Sequence, residues 1–265
     1  MVKALFLDID GTLVSFKTHS IPESTIEALV AAKAKGVKIF IATGRAKSMI
    51  NNLEALDERN LIDGYITMNG SYCVIDETVV FQNTIPNKEA EIIVNYCKNE
   101  NKSCVVIKED QPFIFQPTEL FEDIFYNGLH VDKMEEVNLE DATKGKIYQL
   151  TPFVTEEEET NFNTYVQNCE LNRWFPAFTD IGAKGNTKSR GIDAIIEHFG
   201  ISLDETMAIG DGGNDIPMLK HAAVSVAMGN ASDTVKSTAK YVTDSVDDNG
   251  IYNAVERFIT KISKN

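Results

Sequence analysis

The sequence is short of basic residues, with 25 Lys and Arg against 40 Asp and Glu and a net charge of −15. A nucleic-acid-binding surface needs a basic footprint, so this balance argues against a nucleic-acid partner. Salt screens distant acidic groups beyond about 8 Å, but an anionic ligand would still need positive charge close to it. A metal ion, a lysine, an arginine or a helix N-terminus would have to supply that charge.

Cysteine, histidine and long apolar runs are also scarce. The four cysteines lie far apart with no Cys-x-x-Cys spacing, which indicates free thiols in a reducing compartment. The four histidines show no metal-ligand spacing. No window approaches the run of about 18 apolar residues of a membrane helix, and residues 1–8 do not resemble a signal peptide. We therefore expect a cytoplasmic protein with no membrane partner; no oligomeric state is predicted.

A chain of 265 residues with 43% hydrophobic content is comfortable for two domains. Strands alternate with helices at both ends of the chain, which predicts a parallel sheet with helices on both faces. Within this pattern we expect a capping box at Ser20–Glu23 and one helix from Arg45 to about Leu56. The strands are predicted at residues 3–8, 37–42, 65–68, 206–210, 224–227 and 240–243.

The middle of the chain has a different rhythm, in which helices are mixed with antiparallel strands. The sequence therefore predicts an α/β protein with two parts. Residues 1–83 and 185–265 form a Rossmann-like, parallel-sheet core domain, and residues 84–184 form an inserted α+β domain. Ligands of open parallel sheets bind beyond the carboxyl ends of the strands, so the loops there are the first place to look for a site.

Five groups of polar residues fall at predicted strand ends or at a helix start. Each has a structural explanation by itself: Asp-Gly and Asn-Gly are favoured turn dipeptides, and a single lysine is usually on the surface. Their joint occurrence, in this order and at these junctions, indicates a site. The groups are Asp8/Asp10/Thr12, Thr43/Gly44/Arg45, Asn69/Gly70, Lys188 and Asp211/Asn214/Asp215.

These residue types favour phosphoryl transfer. A carboxylate such as Asp8 can attack phosphorus, and Asp10 can protonate the leaving oxygen and then activate water. Mg²⁺ favours carboxylate and phosphate oxygens, so it would shield Asp8, the phosphate and Asp211 from one another. Charge in the transition state develops on the equatorial oxygens, which would be bound by Thr43, Lys188 and Asn214.

The same residues resemble the motifs of the haloacid dehalogenase (HAD) superfamily, in its Cof-like branch of sugar-phosphate phosphatases with a class IIB α/β cap. Asp8-Ile-Asp-Gly-Thr resembles the first motif, Thr43 the second, Lys188 the third and Gly210-Asp-Gly-Gly-Asn-Asp the fourth. The position of the insertion also resembles that branch. One departure is Ser189 after the lysine, where the family usually has glycine.

The resemblance implies a role for each matching residue. Asp8 would be the nucleophile, Asp10 the acid and base, and Thr12 its orienting partner. The metal ligands would be Asp8, Asp10 (through its backbone carbonyl) and Asp211, with Asp215 supporting the metal and the lysine. The phosphate would be bound by Thr43, Gly44, Lys188 and Asn214. The leaving group would be contacted by Arg45, Asn69 and cap residues near the mouth of the site. Asp180, which lies just before the return linker, is a candidate for such a contact, and a surface role in the cap is the alternative.

The resulting prediction is a Mg²⁺-dependent phosphatase that hydrolyses small phosphate esters, among them sugar (hexose) phosphates, through an aspartyl-phosphate. Two alternatives remain open. One is a phosphotransferase or mutase on the same scaffold, which would require exclusion of water from the aspartyl-phosphate. The other is a receiver-type signalling module. Asp10 and the inserted domain argue against the receiver, because a second carboxylate poised as acid and base is needed only for turnover.

Overall fold

The computed structural model describes residues 1–108, 111–129 and 131–261. The strands in these residues are β1 (Ala4–Leu7), β2 (Lys38–Ala42), β3 (Gly64–Thr67), β4 (Tyr72–Ile75), β5 (Thr78–Gln82), β6 (Cys104–Lys108), β7 (Gln111–Phe115), β8 (Glu135–Val137), β9 (Ile147–Pro152), β10 (Cys169–Phe175), β11 (Phe178–Ala183), β12 (Thr206–Gly210), β13 (Val224–Ala227) and β14 (Tyr241–Val242). The α-helices are α1 (Glu23–Ala34), α2 (Glu54–Asp57), α3 (Asn87–Asn99), α4 (Glu119–Phe121), α5 (Leu139–Thr143), α6 (Glu156–Asn163), α7 (Lys188–Phe199), α8 (Ile216–His221), α9 (Asp233–Thr238) and α10 (Gly250–Val255).

The chain divides into two compact units, each built on one sheet. The first, called the core unit here, comprises residues 1–45, 50–82 and 187 onwards. The second, called the inserted unit, comprises residues 46–49 and 83–186. The architecture is α/β, with a Rossmann-like parallel sheet in the core unit.

The core unit contains an eight-stranded sheet in the order β14-β13-β12-β1-β2-β3-β4-β5. All pairs from β14 to β3 are parallel, whereas β4 and β5 are added as antiparallel strands. The carboxyl ends of β12, β1, β2 and β3 are therefore neighbours at one edge of the sheet. This order brings together loops that are far apart in the sequence.

Both faces of the central parallel strands β1, β2 and β12 are buried, as expected for parallel strands covered by helices. Side chains alternate along a strand, so β1 contributes Leu5 and Leu7 to one apolar cluster and Ala4 and Phe6 to another. Helices α1 and α10 pack in the first cluster, and α7 and α8 pack in the second. The residues of β1 are therefore all apolar because the strand is buried on both sides. A strand buried on one side only would alternate between apolar and polar residues.

The inserted unit contains a six-stranded sheet in the order β10-β11-β9-β6-β7-β8. Its strand pairs are antiparallel except for β7 and β8. Helix α3 covers one face with Ile93 and Val94, which join a single apolar cluster with Val106 and Leu150. The helices and antiparallel strands of the inserted unit therefore enclose a hydrophobic core of their own, which is distinct from the two apolar clusters of the core unit.

Two sequence expectations about the first helices are wrong. Helix α1 begins at Glu23 with Pro22 at the N-cap and without a side-chain cap, because Ser20 instead donates to the hydroxyl of Thr18. The single helix expected up to Leu56 is replaced by a 3-10 turn at Lys47–Met49 and by the short α2. The four intervening residues, 50–53, belong to neither helix.

The four cysteines are free, as their spacing predicts, and all four are buried. None of the helices in the described part of the chain has the length and the apolar content needed to span a bilayer.

Candidate active site

The candidate site lies at the carboxyl edge of the core sheet. Asp8 follows β1, Thr43 follows β2, and Asp211 follows β12. Because these strands are parallel and adjacent, their terminal loops converge without any long excursion of the chain. Lys188 reaches the same place as the first residue of α7, whose N-cap Thr187 accepts a hydrogen bond from the backbone N–H of Arg190.

Lys188 is the centre of the arrangement. Its side chain has 0% exposure, and Nζ donates hydrogen bonds of 2.6 Å to Oδ1 of Asp8 and of 2.6 Å to Oδ1 of Asp215. A buried ammonium is costly unless carboxylates compensate its charge. Lys188 is therefore not a surface lysine but the shared counter-charge of two buried carboxylates from different loops.

The negative charge of the cluster exceeds what one lysine balances. Burial and the neighbouring Asp215 carboxylate raise the pKa of Asp8 to about 8, and burial raises the pKa of Asp211 to about 6. Burial alone would lower the pKa of Lys188, but the charges of Asp215 and Asp8 outweigh it and raise that pKa. The site is thus electrostatically short of positive charge.

A divalent cation fits this donor set. Asp8, Asp211 and Asp215 each offer a carboxylate oxygen, and these oxygens lie within 4.8 Å of one another. Hard cations such as Mg²⁺ take oxygen ligands of this kind. A cation there would also offset the excess negative charge that raises the pKa values of Asp8 and Asp211. The carboxylate of Asp10 is outside this cluster.

Asp10 is instead paired with Arg45. The Arg45 guanidinium donates from Nε to Oδ2 of Asp10 at 2.9 Å and from Nη2 to Oδ1 at 2.5 Å. Two parallel bonds of this kind hold a carboxylate in a defined plane. Arg45 therefore contacts Asp10 in this structure, whereas the sequence prediction gave Arg45 to the leaving group.

The carboxylates of Asp211 and Asp215 are themselves held by hydrogen bonds. Oδ2 of Asp215 accepts from the backbone N–H groups of Asp211 at 2.9 Å and Gly212 at 2.8 Å. Oδ1 of Asp211 accepts from the hydroxyl of Thr12 at 2.7 Å. The sequence prediction attached Thr12 to Asp10; its hydroxyl contacts Asp211 and so links the loop after β1 to the loop after β12.

Two of the residues predicted to bind phosphate, Gly44 and Asn214, lie beside Asn69. The buried Thr43 hydroxyl accepts from the backbone N–H of Arg45 at 3.1 Å, which leaves its own hydrogen available to an acceptor. Nδ2 of Asn214 donates to Oδ1 of Asn69 at 3.0 Å. A side chain on Gly44 would come within 3.3 Å of the Asn69 amide, so glycine keeps this corner open.

The turn after β3 has an unusual backbone. Met68, Asn69 and Gly70 all have positive φ, at 48°, 53° and 97°. Asparagine tolerates the left-handed region better than most residues, which suits Asn69 to this turn. Its backbone N–H donates to the carbonyl of Thr43 at 3.0 Å, so the turn holds the Thr43 loop.

Gly70 is expected to be intolerant of any side chain. A Cβ there would collide with the carbonyl oxygen of Thr187 and lie 2.7 Å from its carbonyl carbon. Because Thr187 caps the helix that begins with Lys188, Gly70→Ala should displace the lysine and lower kcat/KM by about 10²-fold. Steady-state kinetics and thermal denaturation would measure both effects.

Gly36 provides the matched control for this prediction. Gly36 also has a positive φ, 80°, but a Cβ there would meet no atom of the described residues within 4 Å. Gly36→Ala should therefore cost only the backbone strain of about 1–2 kcal/mol and leave kcat/KM unchanged. Equal kinetic effects of the two substitutions would contradict the steric explanation.

Asp180 belongs to the inserted unit, where Oδ1 accepts from the hydroxyl of Thr151 at 2.6 Å. That Asp180 contacts the substrate stays a prediction.

Sequence reasoning missed Asn230, which donates to the Gly11 carbonyl and to Asp211. The available signal was its position, because Gly229-Asn230 follows a parallel strand just as the recognised groups do.

Known proteins are similar to this chain in sequence and in fold. The family model of haloacid dehalogenase-like hydrolases matches residues 5–255. The solved structure of BT4131, described as a HAD subclass IIB sugar phosphatase, is 54% identical, with 97% of this chain and 99% of that chain covered and a TM-score of 0.88. The structure of BT1666 from Bacteroides thetaiotaomicron, a phosphatase of the HAD superfamily, is 35% identical, with 97% and 95% covered and a TM-score of 0.86. YkrA of Bacillus subtilis, named as a candidate phosphatase, is 32% identical over 257 residues, which is 96% of either chain.

Proposed function

This chain belongs to the haloacid dehalogenase-like hydrolases and is a phosphatase of their Cof-like branch, and from that premise we propose that it hydrolyses small phosphorylated metabolites with the help of Mg²⁺. Sugar phosphates are the proposed substrate class. The observation that carries the proposal is the buried Lys188, which joins Asp8 to Asp215 with two bonds of 2.6 Å. This geometry supports the proposal that Asp8 is the nucleophile, because a fixed positive charge lies beside its carboxylate.

The first half of the reaction is proposed to use Asp8 and Asp10. An oxygen of the Asp8 carboxylate attacks phosphorus, and the bond from phosphorus to the leaving oxygen breaks. Asp10 gives the leaving oxygen a proton, which releases the alcohol. For that step the ion pair of Asp10 with Arg45 has to open, and the freed guanidinium can then contact the leaving group.

The second half of the reaction returns the enzyme to its starting state. The Asp10 carboxylate takes a proton from a water molecule whose oxygen attacks the phosphorus of the aspartyl-phosphate. The bond between phosphorus and Asp8 breaks, and inorganic phosphate leaves. Lys188, Thr43 and Asn214 are proposed to donate hydrogen bonds to the equatorial oxygens, on which the transition-state charge is spread.

A divalent cation is proposed as the cofactor. Asp8, Asp211 and the backbone carbonyl of Asp10 would hold it, with Asp215 in support, because the donor set supplies only oxygens and has an excess of negative charge. When bound, Mg²⁺ would neutralise the phosphate and orient it toward the nucleophile. The phosphate esters themselves are anionic, which makes this local positive charge necessary in a chain of net charge −15.

The substrate class rests on similarity and on the inserted unit. The relative BT4131 is described as a sugar phosphatase, and its sequence identity of 54% extends over 97% of this chain. The residues at the core site are suited to phosphate, so selection of the leaving group is proposed to come from the inserted unit. Residues 84–184, with Asp180 among them, are accordingly proposed as the substrate-specificity domain.

A metal and substrate assay tests the proposed function. Dialysed protein should release phosphate from a panel of sugar phosphates only after Mg²⁺ is added, and EDTA should abolish that release. Non-phosphorylated sugars and phosphodiesters serve as negative substrates. Mg²⁺-independent turnover would contradict the cofactor proposal, and preference for a phosphate ester without a sugar would contradict the substrate class. Transfer of phosphate to added sugar acceptors, with no release to water, would favour the phosphotransferase alternative.

A further inference from the structure

Asn230 occupies a junction between three loops of the core unit. Its Nδ2 donates to the backbone carbonyl of Gly11 at 2.8 Å and to Oδ2 of Asp211 at 3.2 Å. Its Oδ1 accepts from the backbone N–H of Val246 at 3.0 Å. The loops after β1, β12 and β14 are thus joined by one side-chain amide, which follows β13.

The contacts of Asn230 define which way its amide points. The Gly11 carbonyl can only accept, and the Val246 N–H can only donate. The amide nitrogen must therefore face Gly11 and the amide oxygen must face Val246. In this orientation both amide hydrogens and the amide oxygen have partners. The group that faces Asp211 is therefore the donor Nδ2 and not the amide oxygen.

Asn230 completes the hydrogen bonding of the Asp211 carboxylate. Thr12 donates to Oδ1 of Asp211, and Asn230 donates to Oδ2. With one donor on each oxygen, rotation of this carboxylate about its Cβ–Cγ bond is restrained. This restraint fixes a carboxylate that has an oxygen within 4.8 Å of oxygens of Asp8 and Asp215.

We propose that Asn230 is a positioning residue that joins the Gly11 carbonyl to the Asp211 carboxylate and thereby sets the affinity of the site for a divalent cation. The inference rests on the cation site of the proposed function. Partners that hydrogen-bond a ligating carboxylate typically contribute about 10–100-fold to metal affinity. Asn230→Ala should therefore weaken cation binding without removing any ligand.

Direct titration of the metal-free protein with Mn²⁺, followed by the electron paramagnetic resonance of the free ion, tests this inference. We expect the Kd of Asn230→Ala for Mn²⁺ to rise by about 10–100-fold. Asn253→Ala is the matched control, because Nδ2 of Asn253 donates to Oδ2 of Asp244 at 2.7 Å in the same C-terminal segment but contacts no site residue. Its Kd should stay within about twofold of the wild-type value.

The dependence of activity on Mg²⁺ separates positioning from general damage. In Asn230→Ala, kcat should return to near the wild-type value at saturating Mg²⁺, while the concentration needed for half-maximal rate rises by the same factor as Kd. An unchanged Kd for Asn230→Ala, or an equal change in Asn253→Ala, would overturn the inference and leave the proposed function intact. Absence of Mn²⁺ binding by the wild-type protein would overturn both.

Discussion

Asp8→Asn is expected to lower kcat by about 10⁴–10⁶-fold, the loss typical of removing a nucleophile that acts within a catalytic unit. The amide nitrogen is not nucleophilic, so no aspartyl-phosphate can form. The hydrogen bond from Lys188 can still be made to the amide oxygen, because that bond of 2.6 Å needs only an acceptor. Single-turnover kinetics with an aryl phosphate, read by rapid quench, measure the loss.

The stability of Asp8→Asn should move in the opposite direction from its activity. Burial and Asp215 raise the pKa of Asp8 to about 8 from the usual value of 3.8, so the folded protein favours a neutral group at this position. A raised pKa means that the wild-type protein loses stability as the pH rises from about 4 to about 8. Asparagine does not ionise, so the free energy of unfolding of the metal-free variant should rise relative to that of the metal-free wild type over that pH interval.

The control for this prediction is Asp193→Asn. Asp193 is an exposed carboxylate of α7 in the same unit and pairs with His221 at 2.6 Å. Its replacement should leave kcat unchanged, because Asp193 makes no contact with the site. Turnover by Asp8→Asn within tenfold of the wild-type rate would reject the assignment of the nucleophile. If Asp8→Asn lost activity and also had a much lower melting temperature than the wild type, the loss of activity would be explained by unfolding.

Lys188→Met is expected to damage both stability and catalysis. Methionine matches the length of the lysine stem but leaves the buried carboxylates of Asp8 and Asp215 without a shared counter-charge. Breaking one side of a buried ion pair typically costs about 3–5 kcal/mol, and kcat should fall by about 10²–10³-fold for loss of a transition-state donor. Denaturant unfolding and steady-state kinetics give the two numbers independently.

A second variant separates the structural role of Lys188 from its catalytic role. Adding Asp215→Asn to Lys188→Met removes one uncompensated carboxylate, so about 1–3 kcal/mol of stability should return. Activity should not return, because the positive charge that is proposed to bind the phosphate is still missing. Lys220→Met, at an exposed position of α8, should alter neither quantity. Recovery of turnover in the double variant would mean that Lys188 serves only to hold the fold.

The positions of the main chemical groups could be predicted from the sequence because they depend on local pattern. A buried apolar run followed by polar residues predicts a strand end, and the carboxyl ends of parallel strands share one edge. Asp8, Thr43 and Asp211 were placed in this way, and all three lie at that edge in the structure. The first residue of α7 was predicted from the same local signals, and the helix begins at Lys188.

Failures of prediction came from interactions that local pattern does not encode. The helix expected from Arg45 to Leu56 gives way to a 3-10 turn and a short helix. Residues 46–49 group with the inserted unit, although the residues on either side of them belong to the core unit. Periodicity over a dozen residues contains no information about which unit such a segment joins.

The sequence by itself determined the class of fold, the edge of the sheet that bears the site and the chemical types of the groups there, since each follows from residues close together in the chain. Only the tertiary structure decided which group contacts which. Thr12 bonds Asp211 from 199 positions away, Arg45 holds Asp10, and Asn230 reaches Gly11 across 219 positions. A hydrogen bond forms only when donor and acceptor lie about 2.7–3.2 Å apart. Residues so distant in the sequence reach that separation only when the strands have been placed side by side.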